Sequence, residues 1–215
     1  MQEPPTSLTP IPIDLRKIQH TRKALLLGVV VVALIPVLFI ESYWRLHARL
    51  LCELIEGFGV AVIIASIFGR TWSTLYIGGR KKRELVTVGP YSLVRNPLYV
   101  ATVAGAVGIG AQSGSLLVAA LAGLIIFAVF WSVVRREEAF LRAAFPVEFA
   151  AYAKNVPRFW PRLSGWRNVE RLEINPYRVG RTFLQACLFL AAIPAADIVE
   201  ELQLNGWIPI YLRLP

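Results

Sequence analysis

Long apolar runs separated by arginine-rich segments restrict this chain more than any other feature. The runs fall at about residues 24–43, 50–69, 98–111, 116–134 and 182–199. A helix needs ~20 apolar residues to cross a hydrocarbon core of roughly 30 Å, and four of the runs approach that length. The expected fold is therefore all-α: a polytopic integral membrane protein with about five transmembrane helices. Hydrophobic residues make up 56% of the chain and charged residues only 17%. That balance suits a membrane protein and is wrong for a soluble domain.

Residues 1–23 form a lead-in, Pro-rich and then basic at Arg16, Lys17, Arg22 and Lys23, ahead of a domain over 24–215. The first span begins near residue 24 and has no small-residue cleavage site after it. It reads as a retained helix, kinked at Pro36, and not as a cleaved signal. The run at 98–111 is short: fourteen helical residues cover roughly 21 Å. Gln112-Ser113-Gly114-Ser115 turns the chain tightly into the next span, so the two form a helical hairpin. Ala101, Ala104, Gly105 and Gly108 are spaced for close backbone approach. An amphipathic helical segment follows from Glu137 to about Tyr152, with Phe140, Leu141, Ala144, Phe145 and Phe149 on one face. Trp207 and Tyr211 are spaced as interfacial anchors in the tail.

The net charge of +9 would fit a nucleic-acid partner only if the cations clustered on a folded surface. Instead nearly all of them lie in the lead-in, in 70–97 and in 135–181, and the hairpin turn has none. This is the distribution of cytoplasmic loops in a membrane protein. The N-terminus is expected in the cytoplasm, the hairpin tip outside, and no nucleic acid is expected as a partner. Cys52 and Cys187 sit in apolar stretches without ligand-spaced neighbours. They read as small buried hydrophobes, with no disulfide framework and no metal site.

The polar residues with chemical content bracket the hairpin. Before it runs Glu84-Leu85-Val86-Thr87-Val88-Gly89-Pro90-Tyr91-Ser92-Leu93-Val94-Arg95-Asn96-Pro97-Leu98-Tyr99. Gly89-Pro90 forces a turn, and Asn96-Pro97 is a boundary followed by a helix start. After the hairpin come Arg135-Arg136-Glu137-Glu138, then Phe145, Tyr152 and Val156-Pro157-Arg158-Phe159. Taken alone, the first stretch is equally a membrane-entry turn with Tyr91 and Tyr99 as anchors, and the acidic pair equally a solvated span end.

In combination, over roughly residues 50–162, the series resembles the isoprenylcysteine carboxyl methyltransferase and phospholipid methyltransferase families of integral membrane enzymes. The resemblance implies S-adenosylmethionine as cofactor. By it, Arg83, Glu84, Leu85, Val86, Tyr91, Asn96, Pro97, Leu98, Tyr99, Glu137 and Glu138 line the cofactor site, on the cytoplasmic side. Gly57 and Gly59 match a Gly-x-Gly of the phospholipid branch by position. Asn96, Glu137 and Glu138 are the catalytic candidates. The implied activity is methyl transfer to a lipophilic acceptor reached from the bilayer: a prenylcysteine-like carboxylate, a lipid amine or a small thiol.

The isoprenylcysteine branch has His-Pro where this chain has Asn96-Pro97. Asn cannot titrate, and the only histidines, His20 and His47, lie outside the motif, so a histidine base is disfavoured. Glu53 and Glu56 are either functional intramembrane carboxylates or interfacial partners of Arg49. A nicotinamide-dependent membrane reductase of the sterol-reductase type and a non-catalytic membrane scaffold are the alternative readings. The acceptor and the oligomeric state are not legible.

Overall fold

Two compact units divide the chain, residues 1–36 and 37–215. The structure, a computed structural model, describes residues 35–78 and 84–215. The second unit contains strand β1 (Ile40–Ser42) and helices α1 (Tyr43–His47), α2 (Arg49–Ile77), α3 (Pro90–Leu93), α4 (Pro97–Ala111), α5 (Leu116–Ala144) and α6 (Pro146–Asn155). Helices α7 (Pro176–Cys187) and α8 (Ala192–Leu204) and strand β2 (Leu212–Leu214) complete it. A 3-10 turn, Leu188–Ala191, joins α7 to α8.

The fold is mostly helical, which suits lipid, because a helix satisfies its own backbone N–H and C=O groups where hydrocarbon offers none. Among the described residues, three stretches are long and apolar enough to cross a membrane: Arg49–Ile77, Leu116–Ala144 and Pro176–Leu204. Helix α4 is shorter. Most of the expected first span, residues 24–34, lies outside the described residues. Its expected end does not continue as helix: residues 40–42 form β1, which pairs in parallel with β2. The expected all-α class thus gains a two-stranded sheet, closed by an ion pair of 2.8 Å between Glu41 and Arg213. A pairing across 172 positions is invisible to local periodicity.

Helix α2 packs between α4 and α7, and α4 between α2 and α5. The α2–α4 crossing is close because small residues meet there. Ser66 Oγ donates to the Ala101 carbonyl at 2.7 Å. A Cβ added at Gly108 would lie 2.7 Å from the Gly59 carbonyl oxygen. The α4–α5 hairpin closes on different glycines, Gly110 against Ala119 and Gly123 against Val107. Its turn is held by Ser115, whose hydroxyl caps α5 by accepting from the Val118 amide at 3.3 Å.

Two helices run past their expected ends. Helix α2 continues to Ile77, carrying Arg70 inside it. That guanidinium donates to the Thr102 hydroxyl and lies over the Phe189 ring at 5.3 Å. Helix α5 runs through Glu137 and Glu138 to Ala144. The amphipathic segment expected to be continuous breaks at Phe145, because Pro146 has no N–H to extend α5 and starts α6 instead. Since α2, α4, α5 and α7 alternate in direction, the end of α2, the start of α4, the end of α5 and the start of α7 share one face of the bundle. The hairpin turn lies on the opposite face.

Candidate functional site

The turn ahead of α4 is built from glycine, proline and a strap that crosses it. Gly89 has φ of 60°, a conformation open to glycine at little cost. Side chains are also excluded there: a Cβ would fall 2.3 Å from the Tyr76 ring. The strap, residues 156–168, follows α6 and pairs with the turn through its backbone. The Gly89 amide donates to Arg167 O at 2.7 Å, Arg95 N to Pro157 O at 2.8 Å, and Arg162 N to Leu93 O at 2.9 Å. Ser92 Oγ accepts from the Arg167 amide at 3.0 Å. At the strap's end the Tyr76 hydroxyl donates to Asn168 Oδ1 at 2.8 Å.

Beneath the strap sits a buried carboxylate. Glu138, 4% exposed, accepts from Arg158 Nη2 at 2.8 Å and from Arg158 Nε at 3.1 Å to each oxygen. Arg95 Nη1 approaches the same carboxylate at 3.4 Å and Asn96 Nδ2 at 3.3 Å. Asn96 also donates to the Arg158 carbonyl at 3.2 Å. The fork of Arg158 matches a carboxylate in two directions, which makes the pair both strong and geometrically specific. Glu138 thereby joins three separate elements: α5, the start of α4 and the strap. Arg158 also lies over the Trp131 ring at 5.6 Å, which stacks with Phe159.

Beside this clamp is a cavity of about 500 Å³ lined by Glu84, Leu85, Thr87, Phe145, Glu148, Ala151, Tyr152, Asn155 and Arg167. Its size lies within the ~300–1,000 Å³ of small-molecule sites. Leu85, Phe145, Ala151 and the Tyr152 ring give an apolar wall. Glu84, Glu148, Thr87, Asn155 and Arg167 give a rim with charges of both signs. Tyr152 links cavity to turn, donating its hydroxyl to the Tyr91 carbonyl at 2.7 Å. Burial pushes the Tyr91 phenol well above its usual range, and the nearby Tyr152 and Glu137 add to this. Burial likewise raises Tyr152, partly offset by the Arg95 charge, with Glu138 raising it further. Both tyrosines are neutral donors near neutral pH.

The structure distributes the expected site residues unevenly. Arg83 lies outside the described residues. Glu84 and Leu85 line the cavity, and Val86 follows them in the wall segment. Tyr91 and Asn96 are buried beside the clamp. Pro97 and Leu98 form the first turn of α4, and Tyr99 packs its ring on Phe130 at 4.7 Å. Glu137 is half-buried next to Glu138.

Gly57 and Gly59 are not brought to this face. Gly59 packs against Gly108, Ala111 and Gln112 near the hairpin turn, and nothing lies within 4 Å of a Cβ at Gly57. Glu53 pairs with Arg49 at 3.0 Å on the surface. Glu56 meets Arg45 at 3.1 Å and accepts from Cys52 at 3.3 Å. His47 stacks on Tyr43, also away from the motif. Among the described residues no group of three or more His, Cys, Asp or Glu is placed to hold a metal ion.

Glu148, Asn155 and Arg167 were not expected in the site. Glu148 and Asn155 carried a signal only by position: Glu148, Ala151, Tyr152 and Asn155 repeat at helical spacing, which puts them on one face of α6; Arg167, on the strap, carried none.

The phospholipid methyltransferase family model matches residues 23–148. The nickel-cobalt-cadmium resistance protein NccN of Alcaligenes xylosoxydans xylosoxydans is 35% identical over 214 residues, 98% of this chain and 97% of the relative. The cobalt-zinc-cadmium resistance protein CzcN of Cupriavidus metallidurans is 39% identical over 176 residues, 82% of this chain and 79% of the relative. No solved structure matches the chain. The matched span takes in the turn, the hairpin and the acidic pair together, and with it this chain belongs to the phospholipid methyltransferase family.

Proposed function

We propose that this chain is an integral membrane methyltransferase that takes S-adenosylmethionine from the cytoplasm and methylates a lipophilic acceptor. One observation carries the reading beyond family membership. Glu84 and Leu85, in the segment expected to hold the cofactor, line a cavity whose rim bears carboxylates, an arginine and neutral hydrogen-bonding groups. Such a rim suits a ligand carrying an ammonium, a carboxylate and sugar hydroxyls.

Bound there, S-adenosylmethionine would supply a methyl group already activated by its sulfonium. The protein's part is then alignment and exclusion of water. Arg167 would hold the ligand carboxylate, Glu84 and Glu148 its ammonium and hydroxyls, and Leu85, Phe145 and Tyr152 its apolar ring. Asn96 and Glu138 are positioning residues that keep the start of α4 against the strap. Glu137 is the carboxylate proposed to contact the cofactor or, for a lipid amine, to take the proton that the amine must shed. A carboxylate acceptor would need no proton removed, so the protein would have only to orient its oxygen toward the activated methyl group that the bound cofactor supplies.

The relatives' names concern resistance to nickel, cobalt, zinc and cadmium. Esterifying an envelope carboxylate would remove an anionic oxygen ligand for such cations. We propose that methylation by this chain contributes to metal tolerance in this way.

The test uses the purified full chain with methyl-labelled S-adenosylmethionine and total membrane lipid. Equilibrium dialysis is expected to show saturable binding, weakened on the order of 10- to 100-fold by Glu148→Gln or Arg167→Ala. Label is expected in the lipid fraction. Binding of NADPH in place of S-adenosylmethionine, or unchanged affinity in both variants, would overturn the reading.

A further inference from the structure

The strap and its continuation to α7 have two faces with different chemistry. The inward face is backbone: the amides of Arg162 and Arg167 and the carbonyls of Pro157 and Arg167 hold the turn at Gly89–Arg95. The outward face is aromatic, aliphatic and cationic. Trp160 is 86% exposed, Leu163 77% and Tyr177 76%, with Trp166, Val169 and Ile174 also open. Between residues 157 and 178 there are five arginines against two glutamates. One of the five, Arg158, is committed to Glu138; Arg162, Arg171 and Arg178 are exposed.

Position decides what this face meets. The segment connects two stretches apolar enough to cross a membrane, Leu116–Ala144 and Pro176–Leu204. It must therefore lie at a bilayer surface. Trp166 packs against Trp72 near the end of α2, at 5.4 Å between ring centroids, which draws the segment toward a third such stretch. Amphipathic rings favour the headgroup level, and arginines there are attracted by anionic lipid.

We propose that the outward face of residues 160–178 is a docking surface for the headgroups of an anionic leaflet, and that this docking holds the turn at Gly89–Arg95 through the strap backbone. Trp160 and Leu163 enter the interface as anchors. Arg162, Arg171 and Arg178 meet lipid phosphates. The same peptide units that follow these side chains then stay bonded to the turn. The inference needs only the membrane placement of the chain, not methyl transfer.

The experiment compares amide hydrogen exchange of the full chain in nanodiscs of phosphatidylcholine alone and with about one-third phosphatidylglycerol. Protection of the amides of Gly89, Arg95, Arg162 and Arg167 is expected to rise on the order of tenfold with anionic lipid. High salt should remove the difference by screening. Arg162→Glu/Arg171→Glu should abolish it, while protection in the core of α2 stays unchanged and reports intact folding. Trp160→Ala/Leu163→Ala should lower protection in both discs. Equal exchange in the two discs would overturn the proposal and point to a soluble partner for this face. An anionic-lipid effect that persists in the double arginine variant would overturn it as well.

Discussion

Glu138→Gln tests whether the clamp holds the site together. The native carboxylate is 5% exposed in its side chain and faces two guanidinium groups. Removing one partner of a buried ion pair typically costs ~3–5 kcal/mol, because the remaining charge stays desolvated. Here Arg158 is 33% and Arg95 13% exposed, so water can reach Arg158 in the variant. The expected loss is therefore about 3 kcal/mol, the lower end of that range. For a chain of this length that corresponds to roughly 6–12 °C in Tm. Glutamine is a poor substitute, since its amide would turn N–H donors toward the donors of Arg158.

Thermal unfolding of the detergent-solubilised full chain measures the loss. Arg158→Met should cost a similar amount by leaving buried Glu138 with only its longer contacts to Arg95 and Asn96. The double variant should cost at least ~2 kcal/mol less than the two single losses added, because the residues share one interaction. Amide exchange should show that Arg95 and Arg162 lose protection in all three variants, since the clamp ties the strap to the turn. A Glu138→Gln variant within ~0.5 kcal/mol of native, or a cycle that is additive, would refute the clamp.

Other outcomes follow from the same geometry. Gly89→Ala should destabilise by several kcal/mol, since the φ of 60° and the Tyr76 ring 2.3 Å from the new Cβ act together. On α2, Gly59→Ala should destabilise because the Cβ would meet Gln112 Nε2 at 2.5 Å, while Gly57→Ala should be tolerated; thermal unfolding separates them. Equal effects would count against the close α2–α4 crossing. Asn96→Ala should lower turnover and stability, leaving the Glu138 oxygen and the Arg158 carbonyl short of a donor at ~1–3 kcal/mol, whereas Asn96→His should keep measurable activity. A full native rate in Asn96→Ala would leave Asn96 as a helix-entry residue only.

Alkali gives a further outcome. The folded-state pKa values of Tyr91 and Tyr152 are raised above the ordinary 10.0, so the folded chain keeps these protons longer than the unfolded chain. Their contribution is full below pH 10 and is lost as pH rises from there toward the folded values. Stability should fall above about pH 10, and less steeply for Tyr152→Phe after its baseline loss.

The chain's punctuation around the candidate site is legible in the sequence, but not its internal wiring. Gly89-Pro90 and Asn96-Pro97 punctuate the chain through local sterics alone, and both fall where the structure turns. Glu137-Glu138 was legible as a pair at the end of a span. Which of the two is buried was not: a helix turns by 100° per residue, so adjacent positions face different surroundings, and packing with Arg158 selected Glu138. The end of the amphipathic segment was present in sequence as Pro146 and was outweighed by the apolar period that continues across it. Gly57-Phe58-Gly59 shows the opposite failure. The pattern is real, but glycines serve helix crossings as readily as ligands, and Gly59 meets Gly108 across α4.

What the sequence alone determined is what depends on neighbours in the chain. Apolar run length sets helices long enough to cross a bilayer, arginine-rich breaks bound the apolar runs, and the Gly-Pro and Asn-Pro steps set the turn and the start of α4. Only the tertiary structure decided which polar groups meet. The parallel pairing of β1 with β2, the strap laid over Gly89–Arg95, the Glu138–Arg158 clamp and the cavity between Leu85 and α6 all join residues far apart in the chain. Such contacts carry no periodic trace, because their partners are selected by packing and by the need of buried charges and amides for partners in a medium without water.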